Sequence, residues 1–187
     1  MGLKETQSLF VRLCLDSAFR EQSFSEGGEA RTFSSMEKEV RRHARSLVSK
    51  RLGAVKDILS ATHAALGPGF AEEFRKFAAA KEEPKGLNRH RLDALAFAEH
   101  LAGSVRAGLL PNPLQDLLAH ETMPARMWAE GRALVFRLHK YPPQRIRDLA
   151  CSGNLPSTLP FRPCLLLWQA GRGRRRGYFW REFSPWP

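Results

Sequence analysis

The stretch Leu134-Val-Phe-Arg-Leu-His-Lys-Tyr141 decides the fold class, because the spacing of apolar residues changes there. Before it, apolar residues recur about every 3.6 positions, which is the period of an amphipathic helix. Within it, Leu134, Phe136 and Leu138 alternate with other residues, as the buried side chains of a half-buried strand do. The sequence therefore predicts an α+β protein in which a helical part precedes a small sheet.

Two further strands are predicted downstream of this stretch. The segments Cys164-Leu-Leu-Leu-Trp-Gln169 and Tyr178-Phe-Trp-Arg-Glu-Phe183 are rich in apolar and aromatic residues, as strands commonly are. The glycine-flanked segment between them, Gly171-Arg-Gly-Arg-Arg-Arg-Gly177, is typical of a basic hairpin tip. We therefore expect a small strand-rich C-terminal domain over residues 131–187, built on an antiparallel sheet.

The preceding residues, 1–130, are predicted to form a bundle of about five helices. The helical period or helix-boundary residues mark residues 4–19, 40–66, 70–77, 92–101 and 114–128. We expect the long second helix to bend near Gly53, and Asn88 and Asn112 to cap the helices that follow them. Phe70, Phe74 and Phe77 form a short aromatic stripe.

The composition limits the class of protein. The chain has 187 residues, enough for one domain or a domain with a small appendage, and its hydrophobic content of 43% argues against a disordered chain. Its net charge of +11 would attract nucleic acid, anionic membranes or acidic peptides, or would simply give a solvated basic surface. We expect no signal peptide and no membrane span, and a cytoplasmic location.

Cysteine and histidine spacing argues against a metal or disulfide framework. Cys14, Cys151 and Cys164 are widely spaced without a CxxC pair, although the last two could pair with each other. No histidine pair has the HExxH spacing, and no nucleophile elbow or phosphate-binding loop is present. The sequence therefore predicts no catalytic residues and no metal site in this chain.

Two carboxylates and one histidine are candidates for a partner interface. Glu99 and Glu121 each lie beside apolar positions of a predicted helix. Burial there would make each carboxylate a specific partner for an arginine, or would leave it as an ordinary residue at the edge of the core. We assign Glu99, Glu121 and the adjacent His120 to this candidate interface.

Basic residues concentrate in two places, one of which is a candidate peptide-binding site. The first is the second predicted helix, which carries Arg41, Arg42, His43, Arg45, Lys50 and Arg51. The second is the hairpin tip, whose arginines lie near aromatic residues, a combination that can bind nucleic acid or an acidic peptide added to a strand. The predicted peptide-binding residues are Arg172, Arg174, Arg175, Arg176, Trp168, Tyr178 and Trp180. A solvated tip and a packing role for about half of these aromatics are the alternatives.

Four motifs in the helical part occur in a recognisable order. They are Leu66-Gly67-x-x-Phe70-x-x-x-Phe74, Pro84-x-Gly86-Leu87, Ala96-Phe97-Ala98-Glu99-His100-Leu101 and Leu117-Leu118-Ala119-His120-Glu121. In this order, over residues 41–129, they resemble a family of bacterial accessory proteins, one branch of which is described as a DNA-binding domain. Better understood members are partner subunits of multinuclear iron-dependent oxidative enzymes, which modify ribosomally synthesised peptides.

This resemblance implies a non-catalytic role for the chain. The iron and the chemistry would belong to the partner enzyme, with which this chain would form a heterodimer, and no cofactor is expected here. The C-terminal sheet would capture the precursor peptide, which would add along a strand. DNA binding through the basic surface is the alternative function, and binding of that kind weakens steeply with salt.

Overall fold

The computed structural model describes residues 2–26, 35–171 and 177–183. Within these residues nine helices and three strands are present. In chain order they are α1 (Leu3–Leu15), α2 (Ser17–Glu26), α3 (Glu37–Ile58), α4 (Ser60–Leu66), α5 (Pro68–Ala80), α6 (Arg89–Arg106), α7 (Leu114–Glu121), α8 (Met123–Glu130), β1 (Leu134–His139), α9 (Pro143–Cys151), β2 (Cys164–Ala170) and β3 (Tyr178–Phe183). The predicted α+β class, with helices first and a small antiparallel sheet near the C-terminus, is confirmed.

The prediction of about five helices was too low, because three predicted helices are each divided and α9 was not predicted. The predicted helix over 4–19 breaks at Asp16, where α1 ends and α2 begins. The predicted helix over 40–66 breaks at Leu59, which has φ −106° and ψ 48°, rather than near Gly53, where α3 is continuous. The predicted helix over 114–128 breaks at Thr122, and α8 then begins with Pro124 in its first turn. Proline suits a first helical turn because it lacks the N–H that would stay unpaired there.

A ninth helix, α9, lies in the region predicted to contain only strands. Pro143 opens α9, four residues after β1 ends at His139. Ile146 and Ala150 are buried on α9, and Ile146 packs in a core cluster with Leu114 and Leu117 of α7. The predicted cap at Asn112 was wrong, because α7 begins after Pro113, and the side chain of Asn88 makes no capping bond to α6.

The aromatic stripe of α5 lies in the helical core. Phe70, Phe74 and Phe77 are all buried against Phe97 of α6, with ring centroids 5.1 to 5.3 Å from that ring. Two of these contacts are edge-to-face, a geometry that aromatic quadrupoles favour. Burying each ring stabilises the fold by about 2 kcal/mol, so α5 and α6 are held together mainly by these four side chains.

A buried ion pair joins α3 to α6 beside this core. The guanidinium of Arg51 donates from Nε and Nη2 to the two carboxylate oxygens of Asp93, at 3.0 and 2.9 Å. Both residues are buried, and Arg51 also donates to the carbonyl oxygen of Lys81 beyond the end of α5. Because this bidentate pair satisfies both charges out of water, loss of one partner leaves the other uncompensated.

Replacing Asp93 with asparagine should therefore destabilise the protein by about 3 kcal/mol, because Arg51 would remain charged and buried. The measurement is urea unfolding followed by circular dichroism. The matched control is Glu130→Gln, which removes a carboxylate from the exposed pair with Arg132 and should cost under about 1 kcal/mol. Equal losses for the two variants would contradict the structural role given to the buried pair.

The sheet is antiparallel with β2 at its centre, in the order β1-β2-β3. Its register places Leu167 of β2 opposite Phe136 of β1 and Arg181 of β3. Alternate β2 residues are buried against α8, and they are Cys164, Leu166 and Trp168, which cluster with Met123 and Met127. One face of the sheet is therefore covered by helix.

Candidate functional site

The other face of the sheet, which we call the open face, carries the candidate site. Side chains of a strand alternate between the two faces, so the residues that do not face the helices share this surface. They are Leu134, Phe136, Leu138, Leu165, Leu167, Gln169, Phe179, Arg181 and Phe183. Seven of these nine side chains are apolar, although solvent covers this side of the sheet.

Exposure of the open face is high for side chains of this size. Phe136 is 60% exposed, Leu138 is 71% exposed and Phe183 is 53% exposed. Arg181 is the one charged residue among the nine described positions of this face. A contiguous apolar surface of this kind on a sheet commonly marks a site of protein interaction.

The orientation of the β1 side chains differs from the prediction. Leu134, Phe136 and Leu138 were expected to be the buried residues of this strand, but they point to the open face. The residues between them, Val135, Arg137 and His139, face the helices, and His139 is fully buried. The physical reason is register: β1 pairs with β2, whose buried residues include Trp168, and this pairing determines which β1 residues turn inward.

The outer edge of β3 is also available for binding. The N–H of Ala170 donates to Ala133 on the β1 side, and the N–H of Gly171 donates to Gly177 on the β3 side. The N–H and C=O groups of successive residues alternate between the two sides of a strand. Since Gly177 bonds to Gly171 at the end of β2, the groups of residues 179, 181 and 183 also face β2, and those of residues 178, 180 and 182 point away from it. Within the described ranges no strand pairs with this side of β3. We call it the free edge.

The predicted peptide-binding aromatics lie on the helix-facing side of the sheet. Trp168 is buried, with 1% of its surface exposed, Tyr178 is half-buried, and Trp180 is 38% exposed. Trp168 therefore serves the core, while Trp180 retains surface that a ligand on the free edge could contact. The predicted arginines, Arg172, Arg174, Arg175 and Arg176, lie outside the described residues, and their role stays a prediction.

Glu121 has an internal role that its sequence position did not reveal. Its carboxylate accepts bonds from the N–H groups of Ala61 and Thr62, at 2.7 and 3.0 Å, and from the Thr62 hydroxyl at 2.6 Å. These groups lie in the first turn of α4, where backbone N–H groups have no helical partner. Glu121 thus bonds to the chain itself. Glu99, by contrast, is exposed, 3.8 Å from Arg126, where a partner could reach it.

His120 packs between the two tryptophans of the sheet. Its ring lies 5.5 Å from the ring of Trp168 and 4.8 Å, edge-to-face, from that of Trp180. Burial, with smaller effects from nearby His139 and Arg147, lowers the pKa of His120 to about 4. The ring is therefore neutral at physiological pH and acts as an aromatic spacer between α7 and the sheet.

Replacing His120 with phenylalanine should make the protein less sensitive to acid. Because the folded pKa of His120 lies below its unfolded value of about 6.5, the unfolded chain takes up this proton first. The wild type should thus lose about 2 to 3 kcal/mol of stability through this residue between about pH 6.5 and about pH 4. Urea unfolding at about pH 7 and about pH 4.5 should show a smaller loss for His120→Phe.

Burial raises the pKa of Glu121, so this residue changes the stability in the opposite direction as the pH falls. The effect is present in both proteins and cancels when their losses of stability are compared. Equal acid sensitivity of the two proteins would show that His120 accepts a proton as readily when folded as when unfolded.

The basic face of α3 is partly neutralised within the chain. Arg41 donates to Glu21 at 2.6 and 2.9 Å and to Glu37 at 2.7 Å. Arg51 is buried in its pair with Asp93. Two of the six predicted basic residues of this helix therefore already have carboxylate partners.

No metal cluster is evident in the part of the chain that the structure describes. No group of three or more histidine, cysteine or carboxylate side chains is placed there to hold a metal ion. Burial raises the pKa of Cys164 to about 11, which keeps its thiol protonated, and Cys151 and Cys164 are both free. No helix of the described ranges is long and apolar enough to cross a membrane.

Sequence reasoning missed the open face as a candidate site. A signal was present, because Leu165-Leu166-Leu167 and Tyr178-Phe179-Trp180 are continuous apolar runs. An antiparallel strand with one solvated face normally alternates apolar and polar residues, so runs of this kind indicate that both faces are apolar. The pairing needed to bring Phe136, Phe179 and Phe183 onto one surface was not readable from the sequence.

One comparison with known proteins gives a match, to the helical part. Residues 36–103 match the model of the SCO6045-like, C-terminal domain family. Those residues include α3, α4, α5 and most of α6, with the Arg51–Asp93 pair and the four-phenylalanine core. Among curated proteins, none matches this chain significantly. The helical segment is thus similar to that family domain, and the sheet with its open face lies outside the matched residues.

Proposed function

We propose that this chain is a non-catalytic partner subunit, which docks onto a multinuclear iron-dependent oxidative enzyme and presents a ribosomally synthesised precursor peptide to it. The observation that carries the proposal is the open face, an apolar surface on three strands beside a free sheet edge. In this proposal the open face contacts the enzyme, and the free edge of β3 receives the peptide.

Composition supports docking of a protein through the open face. Phenylalanine and leucine supply most of its area, and Arg181 is its single charge. Interfaces are similarly apolar at their centre and enriched in aromatic residues and arginine. Burial of half-exposed phenylalanines such as Phe136 and Phe183 removes area that water now covers, which favours association.

The geometry of the free edge supports capture of an extended peptide. Three residues of β3 direct N–H and C=O groups outward, and no strand of the described ranges pairs with them. Strand addition requires groups of this kind. Main-chain bonds of this type bind a peptide largely independently of its sequence, so one subunit could serve peptides that differ outside the paired segment.

An iron enzyme is proposed as the partner because of the motif order in the helical part. The segments from Leu66-Gly67 to His120-Glu121 resemble accessory subunits of such enzymes. The oxidative chemistry and the iron are assigned to the partner, and this chain contributes binding energy and orientation.

DNA binding is the alternative, and the net charge of +11 favours it. Phosphate contacts release counterions, so binding to DNA would weaken steeply between about 0.15 M and about 0.5 M salt. Docking through the apolar open face would change little over that range, because burial of apolar surface is not screened by salt.

Aspartates on the open face should abolish docking. We expect the variant F136D/F183D to bind a co-expressed candidate iron enzyme of the proposed class at least about tenfold more weakly than the wild type does, because two charges would be buried in an apolar contact. The measurement is co-purification followed by gel filtration at the two salt concentrations. The matched control L87D/L109D places two aspartates at positions 102% and 77% exposed, away from the sheet, and should bind normally.

Separate elution of the wild-type proteins at both salts would overturn the partner role. Equal binding by F136D/F183D and the control would leave a partner role but move it away from the open face. Thermal unfolding of each variant checks that the fold is retained.

A proline on the free edge should specifically impair peptide capture. Glu182→Pro removes an outward N–H and leaves the bonds of β3 to β2 in place, and edge strands tolerate proline. Glu182→Gln removes the same charge but keeps the N–H. With a labelled candidate precursor peptide, fluorescence anisotropy should show binding at least about fivefold weaker for Glu182→Pro than for Glu182→Gln. Equal binding by the two variants would contradict strand addition at this edge.

A further inference from the structure

We propose that Arg181 makes the free edge selective for strands with the pattern apolar-x-acidic-x-apolar. This inference rests on the strand-addition part of the proposed function, and it is independent of which enzyme the chain serves. It follows from three features of β3. These are the main-chain groups that point to the free edge, the side chains that lie on the open face beside that edge, and the charges around those side chains.

The hydrogen-bonding pattern of β3 determines where the side chains of an added strand would lie. A strand that pairs with the free edge would continue the sheet, with its side chains alternating between the open face and the helix-facing side. On the open face its neighbours would be Phe179, Arg181 and Phe183, in that order along β3. Cross-strand neighbours on one face interact directly, so these three residues select three alternate positions of the ligand.

The chemistry of those neighbours defines the ligand. Phe179 is 50% exposed and Phe183 is 53% exposed, so each offers an apolar contact to a side chain on the added strand. Arg181 lies between them, and in the part of the chain that the structure describes it makes no ion pair. An acidic side chain opposite Arg181, with apolar side chains two positions before and after it, matches all three residues.

The shape of the surface agrees with this assignment. An open groove of about 610 Å³ runs beside β2 and β3, and its lining includes Leu167, Phe179, Arg181 and Phe183. No acidic residue lines it among the described positions, so nothing there competes for Arg181. The pattern is symmetrical, so it fits a strand that adds in either direction.

The test uses three fluorescein-labelled peptides, which share the sequence Thr-Leu-Thr-X-Thr-Leu-Thr with X as glutamate, glutamine or lysine. Anisotropy titrations with the full-length wild type should rank glutamate above glutamine above lysine, with about a fivefold difference between glutamate and lysine. The variant Arg181→Glu should invert this order. The variant Arg181→Gln should bind all three peptides alike.

Arg145→Glu is the matched control, because it changes the net charge equally at an exposed position of α9 outside the sheet. It should keep the wild-type ranking. Loss of the ranking in Arg145→Glu would assign the selectivity to overall charge and overturn the role of Arg181. Equal binding of the three peptides to the wild type would overturn the selectivity while leaving strand addition intact. Binding of none of them would overturn strand addition itself, and this inference with it.

Discussion

The packing of Trp168 against the helices is the constraint on which the C-terminal half of the molecule depends. Its ring is buried beside His120 and His139, in a cluster with Met123 and Met127 of α8. Because side chains alternate along a strand, burying Trp168 forces its β2 neighbours to the opposite side of the sheet. The antiparallel register then carries this choice to β1 and β3, and the apolar open face is the result.

Polar bonds buried between helices position the surface that Trp168 packs against. The Arg51–Asp93 pair joins α3 to α6, and Glu121 at the end of α7 caps the first turn of α4. Both arrangements satisfy charged groups that burial would otherwise make costly. The Glu121 carboxylate therefore holds the end of α7 against the first turn of α4.

The two candidate binding elements offer different physical chemistry to their ligands. The open face offers apolar area, which binds without much regard to direction and is insensitive to salt. The free edge offers directed main-chain groups, which select an extended backbone. Both lie on the small sheet, outside residues 36–103, which resemble a known family domain. In the proposed function the helical part supports the sheet, and the sheet carries both binding elements.

The sequence by itself determined the α+β class, the three strands and the aromatic stripe of α5, because each depends on local periodicity. Only the tertiary structure decided the break at Leu59 and the capping role of Glu121, since Glu121 bonds to Ala61 and Thr62, about sixty positions away in the chain, an interval that local patterns do not span. The same holds for the open face. The alternation of β1 predicted that Phe136 would be buried, but pairing with the strand that carries Trp168 turned it outward. The central strand β2 carries apolar residues on both sides, and burial of its largest side chain, Trp168, determines which side of the sheet meets water.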